Sequence, residues 1–133
     1  MALRVYTKDH QVELVIDNKH EIFEDTVFAD CEFSIKARSL SSVEQARLES
    51  EIVKISKRGK INFDPSVVTT EKFVRCVEDW SGIEDENGNP VPCTEETKRA
   101  VATHDRDFAR LVLQALQDEA ELERAAKDEE LKN

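Results

Sequence analysis

The stretch VFADCEFSIKAR, residues Val27 to Arg38, decides the fold class. Val27, Ala29, Cys31, Phe33, Ile35 and Ala37 fall on one side of an extended chain. Asp30, Glu32, Ser34, Lys36 and Arg38 fall on the other, and only Phe28 breaks the alternation. Side chains of a strand point alternately to opposite faces, so this period of two predicts a strand over 27–38. With one apolar and one polar face, it belongs to an antiparallel sheet covered on one side and wet on the other. Upstream, LRVYTK (Leu3–Lys8) and QVELVID (Gln11–Asp17) read as shorter strands separated by Asp9 and His10, and DNKH (Asp17–His20) reads as a turn.

Downstream the period changes. Val43, Leu48, Ile52 and Ile55 recur at helical spacing, preceded by Ser41 and Ser42 as N-cap candidates, with Glu44 or Gln45 completing a capping box. Gly59 ends that helix after Lys57 and Arg58, where the helix dipole favours cations. INFDPSVV (Ile61–Val68) reads as a connector. TTEKFVRCVEDW (Thr69–Trp80) reads as a second helix capped by Thr69 or Thr70, with Phe73, Val74, Val77 and Trp80 on one stripe. Thr94 caps a third helix with Glu95 and Glu96 in its first turn. Asp105 caps a fourth, whose stripe is Phe108, Leu111, Val112, Ala115 and Leu116. Strands first and helices afterwards define an α+β fold: N-terminal antiparallel strands followed by about four helices packed on the sheet, the last long with a frayed, charged end. Residues 1–122 are expected to form a single domain and 123–133 a mobile tail.

Composition narrows the function. The chain has 133 residues, a net charge of −10 and 36% charged residues. Phosphate contacts dominate nucleic-acid affinity, and no basic face stands out beyond the short run KISKRGK (Lys54–Lys60). Neither nucleic acid nor an anionic membrane is expected as a partner. Cys31, Cys76 and Cys93 lack paired spacing and read as reduced thiols, with Cys76 a buried small hydrophobe. The N-terminus lacks the apolar run of a signal peptide, and no segment has the roughly 20 apolar residues of a membrane span. A cytoplasmic protein is the expectation.

The segment VRCVEDWSGIEDENGNPVPCTEETKRA (Val74–Ala100) is the one candidate site. Asp85, Asn87 and Asn89 alternate as in the first half of a Ca²⁺ loop, and Glu96 stands at loop position twelve. Position six is Pro90, however, where such a loop needs Gly. Asn87-Gly88 is a strong hairpin signal, so a tight turn is the preferred reading. His20 and His104 make no metal spacing and read as exposed or capping residues. GxSxG, Walker and GxGxxG motifs are absent, so no catalytic or cofactor site is expected. Trp80 reads as a core plug at a helix junction, or as an aromatic anchor at an interface.

Taken as a unit, this segment resembles the tail assembly chaperones of long-tailed bacteriophages and prophages. Trp80, Gly82, Ile83, Gly88, Pro90, Val91, Pro92 and Thr94 fit the family's pattern of Trp-x-Gly, an acidic turn, paired Pro and a capped helix. Cys93 departs from it, standing where Phe or Tyr is usual. The resemblance covers the second half of the chain; the first third matches only in being rich in strands. It implies a non-enzymatic homo-oligomer in the bacterial host cytoplasm, without cofactor, that binds the tape-measure protein during tail assembly. It also implies a longer frameshifted form in many relatives. The expected partner or oligomer surface is Trp80, Ile83, Val91, Leu113, Leu116 and Leu122. Two rivals stand beside it: a structural tail component of the tube or completion type, and a small Ca²⁺-binding or enzymatic domain built on Asp85–Glu96.

Overall fold

The computed structural model describes residues 2–5, 11–59 and 65–132. The fold is α+β: the described residues form three antiparallel strands and four helices, the last much the longest. In chain order these are β1 (Glu13–Asp17), two 3-10 turns (Glu21–Phe23 and Val27–Asp30), β2 (Ser34–Arg38), α1 (Ser42–Gly59), α2 (Pro65–Cys76), β3 (Val77–Ser81), α3 (Glu95–His104) and α4 (Arg106–Lys132). The sheet order is β1-β2-β3.

The long strand expected over 27–38 is cut to its second half. Val27–Asp30 forms a 3-10 turn instead, N-capped by the Thr26 hydroxyl, which accepts from the Phe28 N–H at 3.3 Å. Val27 is left 77% exposed and Cys31 exposed. The reason lies in Phe28, the residue that broke the alternation. The turn directs Phe28 toward Phe108, ring centroids 5.2 Å apart, while Phe23 meets Phe33 at 5.2 Å edge-on. Phe33 and Phe108 close the group at 5.4 Å. Aromatic packing of this kind adds about 0.5–1.5 kcal/mol per pair beyond burial, and it outweighs a few strand hydrogen bonds. Leu3–Val5 is likewise not a strand, and the rest of the expected first strand, 6–8, lies outside the described residues.

The second correction is the helix expected over 69–80. Helix α2 starts earlier, at Pro65, so Thr69 and Thr70 lie inside it and do not cap it; 61–64 of the expected connector lie outside the described residues. It also stops earlier, at Cys76, and the chain continues directly into β3. Val77 and Trp80 are both buried although three apart, which a regular strand forbids. A bulge reconciles them. Lys36 pairs with Asp79 and Ala37 with Val77, so Glu78 is the extra residue and the phase shifts by one. Ile16, Ile35 and Trp80 thus line up across the core face, as do Leu14, Ala37 and Val77.

On the outer face Val15, 65% exposed, forms one row with Lys36 and Asp79, and Glu78 lies 3.6 Å from Lys36 and 3.7 Å from Arg38. On the inner face α4 buries Phe108, Ala109, Val112, Ala115 and Leu116, and α2 buries Phe73, Val74 and Cys76. Each large apolar side chain so buried is worth about 1.5–3 kcal/mol. Asp105 caps α4, its carboxylate accepting from the Phe108 N–H at 3.3 Å. Ser41 caps α1 as expected: its hydroxyl accepts from the Glu44 N–H at 3.1 Å, and the Glu44 carboxylate accepts from the Ser41 N–H at 3.2 Å. Of the stripe expected on α1, Leu48 and Ile52 are buried, Val43 is 58% exposed, and the Ile55 side chain lies outside the described residues. Helical geometry in α4 continues through 123–132, the stretch expected to be a mobile tail.

Candidate functional site

The segment after α2 folds into one unit. The end of α2 has no glycine cap. Instead the Lys98 ammonium, reaching back from α3, donates to the Val74 and Val77 carbonyls at 2.9 Å each. This satisfies carbonyls that a helix end leaves without partners. Trp80 then points inward from β3, 9% exposed, and its indole N–H donates to the Val91 carbonyl at 2.7 Å. The ring is a core plug, but between strand and hairpin rather than between two helices.

Gly82 follows at φ +76°, against the backbone of Glu32 and Phe33. The chain then doubles back. Glu84 bridges Pro90, the Val91 N–H donates to the Ile83 carbonyl at 2.9 Å, and the Asp85 N–H donates to Asn89 at 2.9 Å. The tip is a turn closed by Gly88 N–H donating to the Asp85 carbonyl at 3.0 Å, with Gly88 at φ +80°. The hairpin expected from Asn87-Gly88 is present. It has a three-residue tip in which only Gly88 is left-handed, rather than the two-residue form.

The Asp85 carboxylate organises this tip. Its Oδ1 accepts from the Asn87 N–H at 2.9 Å and the Asn89 N–H at 3.0 Å. Those backbone hydrogen bonds, Asn89 first, hold its pKa below the ordinary carboxylate value. Glu95 and Glu96 sit in the first turn of α3, where the helix dipole favours them. Thr94 caps that helix, and its capping-box partner is Thr97 rather than an acid: each backbone N–H donates to the other's hydroxyl, at 3.2 and 2.8 Å. The Thr97 hydroxyl also donates to the Pro92 carbonyl. Among the described residues no group of three or more His, Cys, Asp and Glu side chains is placed to hold a metal ion.

The remaining candidates have structural roles. His20 caps the first 3-10 turn, its Nδ1 accepting from the Ile22 N–H at 3.1 Å with Nε2 3.5 Å from Glu119; His104 is the last residue of α3. The three cysteines are free, and burial pushes the Cys76 thiol up to about 11. The expected partner surface is divided by burial. Trp80 and Leu116 (4% exposed) belong to the core. Ile83, Val91 and Leu113 are partly buried against that core. Leu122 is 66% exposed on the far part of α4.

One cluster escaped sequence reasoning. Glu71 on α2 accepts from Arg75 at 2.6 Å and also from Arg99 of α3, while Arg75 reaches Glu51 of α1 at 2.5 Å. The Glu71–Arg75 spacing of four is legible on a helix; the contacts to Arg99 and Glu51 exist only in three dimensions. Burial works to raise the Glu71 pKa, but the Arg99 and Arg75 hydrogen bonds outweigh it and the carboxyl sits low. Comparison with protein-family models, with curated proteins and with solved structures finds no match for this chain. No helix among the described residues is long and apolar enough to cross a membrane.

Proposed function

We propose that this protein is a tail assembly chaperone of a long-tailed bacteriophage or prophage, a non-enzymatic homo-oligomer that binds the tape-measure protein in the host cytoplasm. One observation carries the reading. The residues that make up the resemblance form a single hairpin-and-cap unit in which each has an architectural task. Trp80 donates to Val91, Gly82 and Gly88 take left-handed turns, Glu84 pairs with Pro90, and Thr94 caps α3. A motif that builds a scaffold rather than a reaction centre supports an assembly role. The physical fit extends to the client. A long helical client binds through amphipathic faces, and α4 continues about 24 Å beyond Leu116, carrying the exposed Leu122. A charge of −10 keeps copies of the chaperone apart while they hold an apolar client.

Co-expression with the tape-measure protein encoded beside it is the test. The client should become soluble and co-purify, and Leu122→Asp should reduce co-purification with little change in melting temperature. A client that stays insoluble and unbound ends the reading. Mass spectrometry of finished particles separates the structural alternative, since a chaperone is missing from them and a tail component is present.

A further inference from the structure

We propose that α1 is a displaceable cover over a strip of α2, and that the vacated strip takes a partner's amphipathic helix with a carboxylate beside two apolar residues one turn apart. Of the residues from Ser42 to Lys54, only Leu48 and Ile52 are buried, and neither belongs to the main core cluster, which contains no described side chain of α1. Among the described elements α1 packs mainly on α2. By contrast α4 contributes five residues to the main cluster, and Phe108 adds ring contacts to Phe23, Phe28 and Phe33. Elements with few buried apolar contacts open first.

The polar contacts of α1 divide at its first turn. Near Ser41, the N-cap and the bidentate Arg38–Glu44 pair (2.7 and 2.8 Å) span only residues 38–44, so they can persist while the rest of the helix swings about Ser39–Ser41. Among the described side chains beyond that turn, the attachment is Leu48, Ile52 and the Arg75–Glu51 pair, whose glutamate is 54% exposed and open to screening by salt. Release strands no cation, because Arg75 keeps Glu71 at 2.6 Å. What remains on α2 is the seat of two side chains one turn apart with an arginine at its rim. Charge complementarity to Arg75 sets the partner: a helix that repeats the Leu48–Glu51–Ile52 face.

Hydrogen exchange on the full chain tests the cover, with a synthetic peptide spanning 41–59 as the probe for the strip. Amides of α1 beyond its first turn should exchange at least about tenfold faster than those of α4 between Phe108 and Leu116. They should exchange faster still in about 1 M salt, where the screening length falls to about 3 Å. The peptide should bind the chain carrying Leu48→Ala and Ile52→Ala more tightly than the unaltered chain, with α4 protection intact in both. Equal protection of α1 and α4 at either salt overturns the proposal. So does failure of the peptide to bind the loosened variant, or loss of α4 protection in that variant, which would place α1 in one cooperative core.

Discussion

Gly82 and Gly88 share a left-handed backbone, φ +76° and +80°, yet the space around them differs. A Cβ at Gly82 would strike the Glu32 carbonyl oxygen and come within 2.9 Å of the Phe33 Cα, both backbone atoms at the entrance to β2. A Cβ at Gly88 would find only the Glu84 carboxylate, 4.0 Å away at the end of a flexible side chain. Gly88→Ala should therefore cost only the conformational penalty, about 1–2 kcal/mol. Gly82→Ala adds a clash that backbone must move to relieve, and should cost about 3 kcal/mol or more. Urea denaturation of the two variants checks the ranking, and equal losses would mean that the close approach of Gly82 to β2 does not constrain the fold. The same approach explains why Trp80 can seat: it brings the hairpin against the sheet, so that the Val91 carbonyl meets the indole N–H.

Between elements, the Glu71 cluster is the polar counterpart of the core. It ties α2 to α3 through Arg99, and α2 to α1 through Arg75 and Glu51. The Glu71 pKa lies below its ordinary 4.5 in the folded protein. A lowered carboxyl stabilises the fold at pH above the unfolded value, and that contribution fades as pH falls through the folded value. Glu44 behaves alike, held at about 2 mainly by the Arg38 hydrogen bonds. Glu71→Gln should lower stability by about 1–2 kcal/mol at pH 7, and the gap to the unaltered protein should narrow as pH falls below the ordinary 4.5 and close below the folded value. Thermal unfolding across pH measures both, and a gap that is independent of pH would remove Glu71 from the account.

At the scale of the whole molecule, α4 is two helices in one. From Phe108 to Leu116 it is a core element; from Glu121 to Ala126 every side chain is exposed. Helical shape there comes from propensity and spaced charges rather than from packing. Removing 123–133 should leave thermal stability within about 0.5 kcal/mol of the full chain. A larger loss, read by calorimetry, would mean that the far part of α4 supports the fold instead of being presented to a partner.

Local signals in the sequence determined much of this. The α+β class, the Ser41, Thr94 and Asp105 caps, the hairpin at Asn87-Gly88 and the apolar stripe of α4 all rest on contacts between residues a few positions apart, and such contacts are written in spacing. Where tertiary contacts compete with local pattern, the sequence misled. Val27–Asp30 alternates like a strand, but Phe28 is drawn to Phe108, eighty residues away. Phe73, Val74, Val77 and Trp80 fit one helical stripe, yet β2 offers its edge to Val77–Ser81, and a bulge at Glu78 allows both buried residues to face inward. The candidate site divided the same way. Asp85 and Thr94 act on backbone within four residues of themselves, so their turn and cap roles were legible. The seating of the Trp80 indole on the Val91 carbonyl, the reach of Lys98 to the end of α2, and the bridging of three helices by Glu71 and Arg75 were decided only when the chain closed, because each joins residues whose separation in sequence carries no periodic trace.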